Sequence, residues 1–177
     1  VPQWCGGFLV ENPAVVKHKY GYFEYRARFR NQGRGMFPAL WLLGSDGNTD
    51  PNNKGASEID VMEMFGTPNP MKTTMHMLNT KREGYSVAVG KYTTDIKQYH
   101  TYGVDWQPDH VSYYLDGKFL YEVRGKDASF FDSTMNIHLN YAMDANWFPL
   151  QLKSDATTPN ELFMDVDYVR VYDKLPF

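Results

Sequence analysis

Apolar and polar residues alternate with period two through most of the chain. Gly21–Phe29 reads GYFEYRARF, Val104–Val123 reads VDWQPDHVSYYLDGKFLYEV, and Phe163–Tyr172 reads FMDVDYVRVY. Successive side chains on a strand point to opposite faces, so this alternation predicts half-buried strands. Turn-forming residues interrupt the runs at short intervals: Gln32-Gly33-Arg34-Gly35, Ser45-Asp46-Gly47-Asn48, Pro51-Asn52-Asn53 and Asp116-Gly117. Many short strands joined by turns imply a sandwich or barrel. The Asp116-Gly117 pair, set between two aromatic strands, predicts a hairpin across Ser112–Val123. Gly44–Ala56 and Met143–Pro159 are irregular and predict surface loops at strand ends, where a cleft finds its rims. Helix content should be small, and no internal repeat or second domain is visible. Residues 1–177 are expected to form a single domain around one core.

Composition sharpens this picture. Aromatic residues make up 16% of the chain, an enrichment that suits pleated strands. The formal charge of −3 argues against nucleic acid as a partner, since phosphate binding needs clustered Lys and Arg. A neutral polysaccharide needs only stacking surfaces and hydrogen bonds, which this composition can supply. Cys5 is the one cysteine, so no internal disulfide or Cys-based zinc site is available. It is read as a small buried hydrophobe and not as a reactive thiol. No apolar run approaches the roughly 20 residues of a membrane helix, and nothing resembles a signal peptide. A monomer without membrane association is expected.

The segment Ser57–Gly66 reads SEIDVMEMFG and places three acids within six residues of an otherwise apolar run. On a regular strand Glu58 and Asp60 share one face, while Glu63 falls on the other. One extra residue near Val61–Met62, a β-bulge, would return Glu63 to the acidic face. Glu58 and Glu63 would then stand on the order of 13 Å apart along the backbone, at about 3.3 Å per residue. Long side chains leaning together could approach the roughly 5 to 5.5 Å that a nucleophile and an acid/base need in a retaining glycosidase. Asp60 between them would separate their proton affinities, because clustered like charges raise at least one of them. The competing interpretation is a solvated acidic strand face.

Glu58-Ile59-Asp60-Val61-Met62-Glu63 resembles the signature of glycoside hydrolase family 16, in the longer form of the laminarinase, agarase and carrageenase branches. Gly33–Leu43 (GRGMFPALWLL), His100–Gly117 (HTYGVDWQPDHVSYYLDG) and Met164–Tyr172 (MDVDYVRVY) resemble other strands of that family. The resemblance implies an all-β jelly-roll sandwich of two antiparallel sheets with substrate across a concave face. It further implies an endo-glycosidase acting on β-1,3- or β-1,3-1,4-glucan, with Glu58 as nucleophile, Asp60 assisting and Glu63 as acid/base. Trp41 and Trp106 resemble cleft tryptophans, and His76 a hydrogen-bonding histidine beside the acids. Asn140, Asn146 and Trp147 resemble an asparagine-loop-tryptophan element of the cleft rim, with Asp144-Ala145 replacing the usual glycines. Arg26, Arg28 and Arg34 are expected at the surface or paired with acids.

Two departures stand out. Relatives carry some tens of residues before the segment like Gly6–Val10, so a compact or trimmed core with an open sheet edge is expected. Relatives also often hold a structural calcium through an Asp of the last strand, which Asp167 resembles. No cofactor is expected for catalysis, and secretion follows from the polymeric substrate. An agar- or carrageenan-type galactan is the alternative substrate, for which Lys72, Lys81 and Arg82 leave room. Transglycosylation is a further variant. The alternative of another class is a non-catalytic, lectin-like glucan-binding module, although such relatives generally lose the glutamates that this chain keeps.

Overall fold

The structure, a computed structural model, describes residues 4–44, 56–78 and 84–177. Most of the predicted loop at 44–56, together with Lys81 and Arg82, lies outside the described residues. The described residues form eleven strands: β1 (Gly7–Val10), β2 (Gly21–Arg30), β3 (Met36–Gly44), β4 (Ala56–Glu63), β5 (Met71–Leu78), β6 (Gly84–Tyr92), β7 (His100–Trp106), β8 (His110–Leu115), β9 (Lys118–Arg124), β10 (Met135–Met143) and β11 (Phe163–Tyr172). Helix is confined, among the described residues, to α1 (Lys126–Ser129) and a 3-10 turn at Leu150–Leu152.

The strands form two antiparallel sheets. One has six strands in the order β1-β10-β3-β4-β5-β6, and the other has five in the order β11-β2-β7-β8-β9. The alternation read from the sequence sets the sides. Phe23, Tyr25, Ala27 and Phe29 of β2 are fully buried and pack between the sheets with Tyr102 and Val104 of β7. Met36, Leu40 and Leu42 of β3 and Ile59, Val61 and Met62 of β4 meet them from the six-stranded side. These large apolar side chains hold the sheets together, each fully buried one contributing about 1.5–3 kcal/mol.

The hairpin forms where the Asp116-Gly117 pair predicts it, linking β8 to β9. Asp116 and Gly117 adopt φ 51° and 71°, the two positive values of a type I′ turn, whose twist matches the strands it joins. The arginines of β2 behave as expected. Arg26 pairs with Asp167, while Arg28 and Arg30 converge on Asp165 at 2.8 and 2.7 Å. Arg34 pairs with Asp155 at 2.7 Å.

Two expectations are corrected. Trp106 does not line a cleft. It shares strand parity with the buried Tyr102 and Val104, has no exposed surface, and donates its indole N–H to the Phe131 carbonyl at 2.8 Å inside the core. Cys5 is exposed, because it precedes the edge strand β1, whose residues are themselves exposed. That strand pairs with β10 alone, so its outer edge is open among the described residues.

Candidate active site

The site is built on β4 and its two neighbours. On the β3 side the pairing runs Leu40 with Met62 and then Trp41 with Asp60; on the β5 side it runs Asp60 with Thr74 and then Glu63 with Lys72. On the β3 side Val61 therefore has no partner, and on the β5 side Val61 and Met62 together oppose Thr73 alone, so the strand carries one residue more than each neighbour. Val61 and Met62 both turn into the core, at 2% and 0% exposure, and Glu63 emerges on the face that carries Glu58 and Asp60. The bulge expected from parity is present.

Directly paired residues share a face, so the register fixes what surrounds the acids. One row across the sheet is His138, Trp41, Asp60 and Thr74; the next is Asn140, Ala39, Glu63 and Lys72. Glu58 stands between Leu43 and His76 in a third row. The face looks away from the core, yet Asp60 is 1% and Glu63 6% exposed, so their neighbours exclude water from both carboxyls.

Burial sets the proton affinities. All three carboxyls are pushed above their ordinary range, foremost by desolvation, which disfavours the charged form. Glu63 is raised to about 9, through burial and then the nearby charges of Asp60 and Glu58. Asp60 is raised well above the usual value by burial and by Glu58. Glu58 is raised too, but the neighbouring His76 and a hydrogen bond with Asp60 pull it back down. Asp60 hydrogen-bonds with Glu58 on one side and Glu63 on the other. The three form one chain in which Glu63 holds its proton into the alkaline range and Glu58 is the member whose charge is stabilised by neighbours.

His76 supports this chain. Its Nε2 lies 3.3 Å from Asp60 Oδ2, and its Nδ1 lies 2.6 Å from Ser86 Oγ on β6. Glu58, Asp60 and His76 also bring possible metal-ligand atoms within 4.8 Å of one another, though carboxylate-based glycosyl transfer needs no metal.

Trp41 is half-buried beside Asp60, donating its indole N–H to Asn140 Oδ1 at 2.8 Å. Asn140 in turn donates from Nδ2 to the Phe37 carbonyl at 3.1 Å, so its amide orients the tryptophan. His138, missed in the sequence, packs 4.5 Å from the Trp41 ring; its alternation with Asn136 and Asn140 was the available signal. Trp147 is 61% exposed and stands edge-on to Phe37, Phe65 and Phe148 at 5.5, 5.2 and 4.6 Å. Asn146 next to it is exposed. Asp144, where glycine was expected, takes φ 53°, and its carboxylate accepts two bonds from Ser154 at 2.6 Å that hold the loop in that conformation. Tyr113, also missed, reaches from β8 toward the underside of the acids, its hydroxyl 3.4 Å from the Thr74 carbonyl.

Asp167 lies on the other sheet, within the irregularity of β11 between Val166 and Tyr168. Its carboxylate is taken up by Arg26, and Arg28 and Arg30 stand beside it on Asp165. A guanidinium-lined carboxylate does not fit a calcium cage, which draws on several uncompensated oxygens.

The sequence model of "Glycosyl hydrolases family 16" matches residues 11–170. The chain belongs to glycosyl hydrolase family 16. Its two antiparallel sheets are the jelly-roll sandwich of a family member. Among curated relatives, the glucan endo-1,3-β-glucosidase A1 of Niallia circulans is 33% identical over 175 residues, covering 87% of this chain and 24% of that protein. The endo-1,3-1,4-β-glycanase EglC of Rhizobium meliloti (strain 1021) is 33% identical over 154 residues, covering 86% of this chain and 30% of that protein. The chain therefore spans less than a third of the length of either relative. Among solved structures, the endo-β-1,3-glucanase of Pyrococcus furiosus superposes with a TM-score of 0.69 at 31% identity, covering 89% of this chain and 62% of that one.

Proposed function

We propose that the chain is the catalytic portion of a retaining endo-β-glucanase that cuts internal β-1,3 or mixed β-1,3-1,4 linkages by double displacement. The observation that carries this reading is the bulge of β4, which puts three carboxyls of graded proton affinity on one face. Glu63, protonated at neutral pH, gives its proton to the glycosidic oxygen as the bond to the leaving sugar breaks. Glu58, ionised, attacks the anomeric carbon and forms a glycosyl-enzyme ester. Asp60 donates a hydrogen bond to Glu58 before attack and receives none of the covalent change. Glu63, now ionised, then takes a proton from water, whose oxygen attacks the same carbon and releases Glu58. Two inversions return the original anomeric configuration.

Trp41, oriented by Asn140, and Trp147 offer stacking surfaces for sugar rings, and His76 holds Asp60 and Glu58 in register. A galactan of the agar or carrageenan type is the second reading for the substrate; the glucan-directed names of the relatives above favour glucan. A pure binding module is disfavoured by the retained and aligned acids. Among the described residues no helix is long and apolar enough to cross a membrane. A polymeric substrate places the enzyme outside the cell, acting as a monomer on polysaccharide without a catalytic cofactor.

The test is the product profile of the purified protein on laminarin, lichenan, agarose and carrageenan, beside Glu58→Gln. Oligosaccharides from a glucan, reduced at least about a thousandfold in the variant at unchanged circular dichroism, are expected. Undiminished turnover by Glu58→Gln would remove Glu58 from the mechanism.

A further inference from the structure

Beyond Glu63 the face changes character. Glu63 pairs across the sheet with Lys72, and Lys72 pairs with Lys91 on β6. Two ammonium groups directly opposite one another repel. Among the described residues neither is ion-paired with a carboxylate, whereas Arg26, Arg28, Arg30 and Arg34 each are. Burial and the neighbouring Lys91 disfavour the charge of Lys72, and Glu63 across the sheet acts the other way. Lys72 Nζ stands 3.9 Å from the centroid of Phe65, and Phe65 stacks on Phe37 at 5.5 Å and carries the exposed Trp147 against its edge. The acid/base end of the face thus joins an aromatic wall to a like-charge pair that has no ion-paired carboxylate among the described residues, an arrangement relieved by an anion arriving from outside.

We propose that Lys72 and Lys91, beside the Phe65–Trp147 wall, form a subsite for a sugar bearing an anionic substituent, a sulfate ester or a carboxylate, so that the enzyme prefers charged glucan chains to neutral ones. The proposal rests on the glycosidase reading above and narrows its substrate class. The aromatic wall stacks the ring of such a sugar while the ammonium groups take its anionic oxygens as point charges with rotatable donors. Because Lys72 adjoins the carboxyl that protonates the leaving oxygen, the charged sugar belongs nearer to that carboxyl than to Glu58.

The experiment compares laminarin, sulfated laminarin and carboxymethyl-laminarin in two readouts: kcat/KM with the active protein, and binding measured calorimetrically with Glu58→Gln. At low salt, at least one charged polymer should be cut and bound about tenfold better than laminarin, and added salt should erase that advantage. In Lys72→Gln/Lys91→Gln, and in each single variant to a lesser degree, the charged-to-neutral ratio should fall toward one. Preference for only one charged polymer distinguishes sulfate from carboxylate recognition. A ratio near one in the parent protein, or one unchanged by the substitutions in proteins that fold by circular dichroism, overturns the proposal. Charged-polymer binding that depends on the lysines without cleavage of any polymer would keep the subsite and reject the glycosidase reading beneath it.

Discussion

At the scale of single residues, the account turns on where the protons sit. Turnover requires Glu58 ionised and Glu63 protonated, so kcat/KM should rise through the pKa of Glu58, above its ordinary 4.5, and fall as pH passes about 9. In Glu63→Gln, assayed with an aryl glucoside whose leaving group needs no proton, the alkaline limb should disappear while the acid limb stays. Glu63 also predicts a stability effect. Its folded pKa lies above its unfolded one, so the contribution of its proton is complete below about 4.5 and is lost as pH rises toward about 9. At pH 7 this costs on the order of 3 kcal/mol. Glu63→Gln should therefore melt several degrees higher than the parent at pH 8 and nearly level with it at pH 4, as calorimetry would show. The identities of the acids were visible in the sequence because charge stands out in an apolar run. Their order of proton affinity was not, since it depends on how deeply Trp41, His76 and Thr74 wall them in.

At the scale of elements, the bulge of β4 is the device that makes the site. Deleting Val61 would restore regular pairing and leave Glu63 two positions after Asp60, still on the acidic face but shifted along the strand relative to Glu58. The deletion should leave the fold intact and, by displacing the Glu63 carboxyl from its place beside the other two, lower kcat/KM by about a hundredfold; an undiminished rate would refute the role of the bulge. Parity alone revealed this feature, and the positive-φ demand of Asp116-Gly117 revealed the hairpin in the same local way. Trp106 shows where local reading failed. The resemblance suggested a cleft tryptophan, while alternation with Tyr102 and Val104 across His100–Trp106 pointed inward, and the alternation was the better guide. Lys72 and the Phe37–Phe65–Trp147 wall draw on three separate segments, so no window of sequence could have joined them.

At the scale of the whole molecule, two sheets divide the labour. The five-stranded sheet supplies aromatic bulk to the core and covers its outer side with arginine–aspartate pairs. The six-stranded sheet spends its outer face on chemistry, and its middle strands, β3, β4 and β5, are paired on both sides and so rigid enough to hold three carboxyls in one hydrogen-bonded chain. The fold class was legible because alternation and turns recur along the entire chain, whereas strand order between sheets depends on pairings distant in sequence. The central claim, double displacement through Glu58, concerns the stereochemistry of the product. Proton NMR of laminarin digested by the purified protein, recorded in the first minutes before mutarotation, measures it directly. The account predicts that the β-anomer of the new reducing end appears first; the α-anomer appearing first would mean single displacement and would contradict it.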